Sequence, residues 1–213
     1  MIKEINKQGT PCLYTPTEPV VPIITKGEVK EKDKSIISLT DNQDKDYHYP
    51  GVEAEKKETH DNKKKETFTC VWPQMYLDLV RDLLDTAESI ADTCMGLAAT
   101  QIWDKKEPCP AIFVMRWPSK EHKRGWNWQE FINPAIKGSG KTLKLEEGCL
   151  SYPGLKVRKT RKANVTLAFQ TLTDPRRQVH KFTANEHGWI PHVMQHECDH
   201  LMGKCVRSKN FKK

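Results

Sequence analysis

The spacing of apolar residues divides the chain into stretches of different character. Behind Pro73, the residues Tyr76, Val80, Leu83, Leu84, Ala87, Ile90 and Ala91 recur three and four apart. That is the period of one buried helix face, and it predicts a helix from Pro73 to about Thr93. Short apolar runs follow at 111–115, 131–134, 142–145, 165–172 and 179–183, each bounded by Pro, Gly or charged residues, and these read as strands. A last helix opens at Pro191 and closes at Gly203, with Pro just inside its start and Gly just past its end. Between residues 25 and 66 the periodicity fails: Ile36, Ile37 and Leu39 stand among charges of both signs, which predicts a flexible, low-complexity insertion. The order helix, strands, helix predicts an α+β fold, a small, mostly antiparallel sheet packed on two helices. The expected organisation is a single catalytic domain over 1–213, carrying the insertion at about 25–66 and a short basic tail at 204–213.

Composition sharpens this picture. The chain has 213 residues, of which 37% are hydrophobic and 30% charged, and a mean hydropathy of −0.72. Such polarity fits a globular part diluted by the insertion and argues against a membrane span. Lys and Arg outnumber Asp and Glu by 35 to 28, a net charge of +7, which admits a polyanionic partner without requiring one. The excess gathers in two patches: Lys156, Arg158, Lys159, Arg161 and Lys162, and the tail Lys204, Arg207, Lys209, Lys212 and Lys213. Solvated surface is the preferred reading of both, and contact with RNA or the ribosome is the alternative; neither patch has the interleaved aromatics of a base-stacking surface. Seven cysteines at irregular spacings do not form a disulfide framework, and the opening Met1-Ile2-Lys3-Glu4 lacks an apolar leader. Thiols in a reducing compartment, free or bound to metal, are expected.

The last helix carries His196-Glu197-Cys198-Asp199-His200. Two His four apart lie one turn above each other and can reach one ion, and the intervening Glu is placed to handle the proton of an activated water. Val193, Leu201 and Trp189 are expected to pack inward, and Gln195 and Asp199 are candidates to orient a ring N–H. A hydrolytic site needs a third ligand from elsewhere. Cys149 stands out, in Glu146-Glu147-Gly148-Cys149-Leu150-Ser151-Tyr152-Pro153-Gly154, where Gly and Pro shape the backbone beside a thiol. Cys198 points away from both His; Cys12, Cys70, Cys94, Cys109 and Cys205 lack a ligand-like setting and read as small buried or incidental thiols. Val193, His192 and Trp189, three, four and seven residues before His196, share its helix face, and Met95 is a further candidate for the same pocket.

Three blocks, Gly96-Leu97-Ala98-Ala99-Thr100-Gln101, Glu147-Gly148-Cys149-Leu150-Ser151 and Gln195-His196-Glu197-Cys198-Asp199-His200-Leu201 with Gly203, resemble the peptide deformylases in kind and order. The opening segment, with Gly9-Thr10-Pro11-Cys12-Leu13, looks like that family's N-terminal strand region. The resemblance implies a metal-dependent hydrolase that removes the N-formyl group from the formyl-methionine of new polypeptides. It implies Cys149, His196 and His200 as ligands of one divalent ion, Fe²⁺ natively, with Zn²⁺, Ni²⁺ or Co²⁺ as substitutes. Glu197 becomes the proton carrier, Gln101 and the backbone N–H of Leu150 the oxyanion donors, and Gly96, Met95, Gly148, Val193, His192 and Trp189 the binding site for the formyl-methionyl peptide. His192 is the one that suits an apolar methionine pocket least.

This chain departs from the family pattern in having Cys94-Met95-Gly96 where Gly-x-Gly is usual, in its insertion, and in ending ten residues after Gly203, short of the long C-terminal helix of some members. A monomer in a bacterial-type cytoplasm, bacterial or phage-encoded, is the expected setting. Two other readings are weaker: a metallopeptidase, for which no His or Glu follows His200, and a catalytically silent basic ribosome- or RNA-binding relative, which would be expected to lose a residue of the blocks.

Overall fold

A computed structural model describes residues 1–26, 37–38, 68–120 and 123–206. The chain divides into two compact units, Pro22–Val71 and the combination of Met1–Val21 with Trp72–Lys213. In the first, β1 (Ile23–Lys26), β2 (Ile37–Ser38) and β3 (Phe68–Val71) form an antiparallel sheet in the order β1-β3-β2, with Ile23 opposite Val71. Four residues of the stretch expected to be a charged insertion, Thr25, Lys26, Ile37 and Ser38, therefore lie in strands; its other residues, 27–36 and 39–66, lie outside the described ones.

The other unit begins with a 3-10 turn at Pro11–Tyr14 and continues with α1 (Gln74–Ser89), β4 (Gly96–Ala98), a 3-10 turn at Ala99–Gln101, β5 (Ile112–Pro118), β6 (Trp126–Cys149), β7 (Tyr152–Gln170), β8 (Gln178–Thr183), α2 (Ala184–His187) and α3 (Ile190–Leu201). The five strands form one sheet in sequence order, antiparallel throughout. The α+β expectation is met. Side chains alternate across a strand, and here both faces are covered. Leu97, Ile112, Val114 and Ile132 pack with Leu79, Val80, Leu83 and Ala87 of α1. Phe113, Met115, Phe131, Val165 and Leu167 pack with Ile190, Met194, Cys198 and Leu201 of α3. Burial on both faces is why 111–115 is a continuous apolar run rather than an alternating one.

Two boundaries differ from the sequence reading. α1 ends at Ser89, so Ile90 and Ala91 fall in the following turn; the Ser89 hydroxyl donates to the Thr86 carbonyl (2.7 Å), a local bond that competes with helix continuation. The runs 131–134 and 142–145 belong to the single strand β6, because register shifts at Ile132/Ala135 and Ser139/Thr142 absorb Pro134 and the Gly138-Ser139-Gly140 turn signal as bulges. At the first bulge Asn133 adopts a positive φ of 49°, which Asn tolerates better than most residues. Its amide accepts from Val20 N (2.7 Å) and donates to the Val20 carbonyl (2.7 Å), pinning the N-terminal segment to the sheet. No helix among the described residues is long and apolar enough to cross a membrane.

Candidate metal centre and its cleft

The long hairpin β6–β7 turns at Leu150-Ser151, and a register shift at Gly148 leaves Cys149 opposite Tyr152 at its tip. α3 packs beside this tip with His196 and His200 one turn apart. The Cys149 sulfur and the ligand nitrogens of the two rings all lie within 4.8 Å of one another, and Cys149 Sγ is 3.2 Å from His200 Nε2. Among the described residues these three alone form such a group. Cys198 is buried in the core and outside it, as its helix position implied.

The electrostatics fit a cation. Burial drives the His200 ring down to about 3, so it stands neutral with a lone pair available. His196 is also buried, which opposes its charge, yet Cys149, Glu147 and Glu197 together raise it to about 10: the surroundings favour positive charge between them. His196 Nδ1 donates to Glu147 Oε2 at 2.5 Å, so that Nε2 is the ring nitrogen that could serve an ion. Glu147 is held in turn by Arg161, whose Nε donates to Oε1 (3.1 Å) and Nη2 to Oε2 (2.9 Å), while Nη1 donates to Asp199 Oδ2 (2.6 Å). Burial works against the Glu147 charge, but His196 and Arg161 overcome it and hold the carboxyl at about 2.

This network corrects three expectations. The residue that orients the His196 ring is Glu147, whereas Gln195 bonds the Lys162 backbone (3.0 Å and 2.9 Å) and Asp199 serves Arg161. Arg161 is 8% exposed and paired internally, so it is no part of a solvated basic patch. Trp189 does not pack into the core: it is 38% exposed and lines the cleft. A signal for Arg161 exists in the sequence, since it shares strand parity with Leu155, Val157, Ala163, Val165 and Leu167, the inward set of β7.

Glu197 is 3% exposed, its Oε2 has no hydrogen-bond partner, and burial lifts its pKa to about 7. Its Oε1 lies directly against Gly96, where a Cβ would stand 2.6 Å away. Gln101 Oε1 accepts from Ala98 N (2.9 Å), which fixes the amide so that Nε2 points to Ser151 Oγ (3.3 Å) and Cys149 Sγ (3.9 Å). A cleft of about 810 Å³ opens here, lined by Cys149, His196, Glu197, Gln101 and Leu150, and by all six residues expected to bind substrate: Gly96, Met95, Gly148, Val193, His192 and Trp189. Lys7, a residue with no role in the sequence reading, also lines it and donates to the Leu150 carbonyl (3.2 Å).

The family model described as polypeptide deformylase matches residues 57–211. The chain belongs to the polypeptide deformylase family. A peptide deformylase of Prochlorococcus marinus (strain NATL2A) is 33% identical over 132 residues, which is 62% of this chain and 59% of that protein. Peptide deformylase 2 of Streptomyces avermitilis is 35% identical over 127 residues, 59% and 61% of the two lengths. The chain thus spans about three-fifths of the curated deformylases it matches. A probable peptide deformylase from the Synechococcus phage S-SSM7 has the same fold, with a TM-score of 0.58 at 22% identity over 95% of this chain and 96% of that one. The three deformylase-like blocks are the segments that meet at the cleft.

Proposed function

We propose that this protein hydrolyses the formamide bond of N-terminal formyl-methionine in newly made polypeptides, releasing formate and a free amine. The observation that carries this reading is the convergence of Cys149, His196 and His200 within 4.8 Å, at a cleft that Cys149 and His196 line together with the buried carboxyl of Glu197 and the oriented amide of Gln101. A divalent ion held by these three would supply Lewis acidity and a bound water of pKa near 7. Glu197 takes the proton of the attacking water and returns it to the amine nitrogen as the C–N bond breaks; its buried, half-unpartnered carboxyl suits a group that must hold and release a proton. The Gln101 Nε2 and the Leu150 N–H donate to the oxygen that gains charge during attack, and losing one such donor costs about 3 kcal/mol of barrier.

Fe²⁺ is the native ion in this reading, with Zn²⁺, Ni²⁺ and Co²⁺ as functional substitutes, because a thiolate and two imidazoles accept several divalent ions. The protein acts as a monomer in a bacterial-type cytoplasm, bacterial or phage-encoded. A ribosome contact, where made, uses the exposed part of the first basic patch, Lys156, Arg158 and Lys162, together with the tail from Lys204. The test is anaerobic reconstitution of the apo-protein with Fe²⁺ and separately with Zn²⁺, followed by measurement of formate release from formyl-Met peptides. Release with Fe²⁺ is expected; a loaded protein that releases none would refute the assignment.

A further inference from the structure

The wall of the cleft formed by α3 and the residue before it is apolar at Val193 and Trp189, and Met95 adds a thioether from the loop before β4. His192 breaks this pattern. Its side chain is 13% exposed, and both ring nitrogens are shielded from solvent and lack a hydrogen-bond partner in the protein. The nearest charged group, Glu147 Oε1, is 3.7 Å from Nε2, too far for a hydrogen bond, and it already accepts from Arg161. Burial lowers the His192 pKa, so the ring is neutral and offers one N–H and one bare nitrogen. A buried donor without an acceptor is costly, and its place on a ligand cleft indicates that a ligand atom satisfies it.

We propose that His192 is a specificity-determining residue whose ring N–H donates to the thioether sulfur of the substrate's methionine side chain. The inference rests on the deformylase reading above. Val193, Trp189 and Met95 can measure the length and apolarity of the side chain that enters, but methionine and its all-carbon isostere norleucine are alike in both. Only a donor separates them. Thioether sulfur is a weak acceptor, yet it is an acceptor, whereas the methylene of norleucine would leave the buried N–H unpaired. Sites reject close analogues most effectively by leaving their own polar groups unsatisfied.

The experiment measures kcat/KM of the metal-loaded enzyme on formyl-Met-Ala and formyl-norleucine-Ala, together with calorimetric binding of the product-like dipeptides Met-Ala and norleucine-Ala. The expected preference for methionine is about fivefold, expressed mainly in KM and matched in the binding ratio. His192→Leu brings both ratios to about one, and His192→Gln, which keeps an N–H donor, retains part of the preference. Should His192→Leu fail to fold, His192→Met reads the same loss of the donor. Equal kcat/KM for the two peptides in the parent enzyme, or a ratio that persists in a folded His192→Leu or His192→Met protein, overturns the His192 assignment and leaves the deformylase reading standing. Absence of formate from both peptides overturns the deformylase reading, and the His192 assignment with it.

Discussion

A Cβ at Gly96 would stand 2.6 Å from Glu197 Oε1 and 2.9 Å from its Cδ and Cγ, closer than non-bonded atoms approach, so the whole end of the Glu197 side chain must move. Gly96→Ala is therefore expected to displace the carboxylate and cut turnover about a hundredfold, the scale of a 1 Å misplacement, while the melting temperature changes little. Steady-state rates measured beside thermal denaturation check this; near-normal turnover would mean that the carboxylate tolerates another position. The neighbouring departure from Gly-x-Gly is accommodated structurally: Cys94 turns its side chain into the core, 1% exposed, and its thiol donates to the Gly96 carbonyl (3.3 Å). Glu197→Gln keeps size and hydrogen bonding but cannot carry a proton, so metal analysis should find the ion retained while turnover falls at least about a hundredfold. His196, Glu197 and His200 were legible in the sequence because helix spacing alone puts them together. Glu147 was not, because its role depends on which side chains meet across a hairpin and against a helix.

At the scale of elements, Arg161 joins β6, β7 and α3 through Glu147 and Asp199. In the hairpin register Arg161 lies opposite Leu143 and Glu147 opposite Val157, so the ion pair crosses the ladder on a long diagonal that linear inspection does not reveal. Strand alternation would have placed Arg161 on the inner face, but the run of basic residues around it masks the pattern with a stronger compositional signal. The same limit explains β6: turn-forming Pro134 and Gly138 to Gly140 are local cues for strand ends, whereas bulges are settled by pairing with β7 over the whole ladder. Arg161→Met leaves the Glu147 carboxylate buried with one partner fewer. Denaturant unfolding should show a loss of about 3–5 kcal/mol, the cost of breaking a buried pair. Competition against a chelator should show metal affinity reduced about 10–100-fold, as expected when a ligand's orienting group is disturbed. Unchanged metal affinity in the folded variant would detach the network from the site.

At the scale of the whole molecule, every residue of the candidate site belongs to the unit formed by 1–21 and 72–213. The N-terminal segment is part of that assembly: Asn6 N donates to the Gln101 carbonyl (2.6 Å), Gln8 N to the Ser151 carbonyl (3.1 Å) and Thr17 N to the Leu201 carbonyl (2.9 Å), so it touches all three deformylase-like blocks. The stretch 22–71 interrupts the chain between this strap and α1, and none of its described residues is among those that line the cleft or form the Cys149, His196 and His200 group. Ile23 and Val71 are direct partners in the antiparallel pair of β1 and β3, which puts their Cα atoms about 5 Å apart. The two cut ends are thus already side by side, and a short connection closes them at small entropic cost. Replacing residues 24–70 with a short Gly/Ser linker is expected to leave the remaining unit folded, with kcat/KM on a small formyl-peptide within about threefold of the full chain, since loop length enters stability only logarithmically. Circular dichroism, thermal denaturation and formate release, measured on both proteins, decide the matter. A shortened protein that keeps its secondary structure and binds metal but no longer releases formate would show that 22–71 takes part in catalysis.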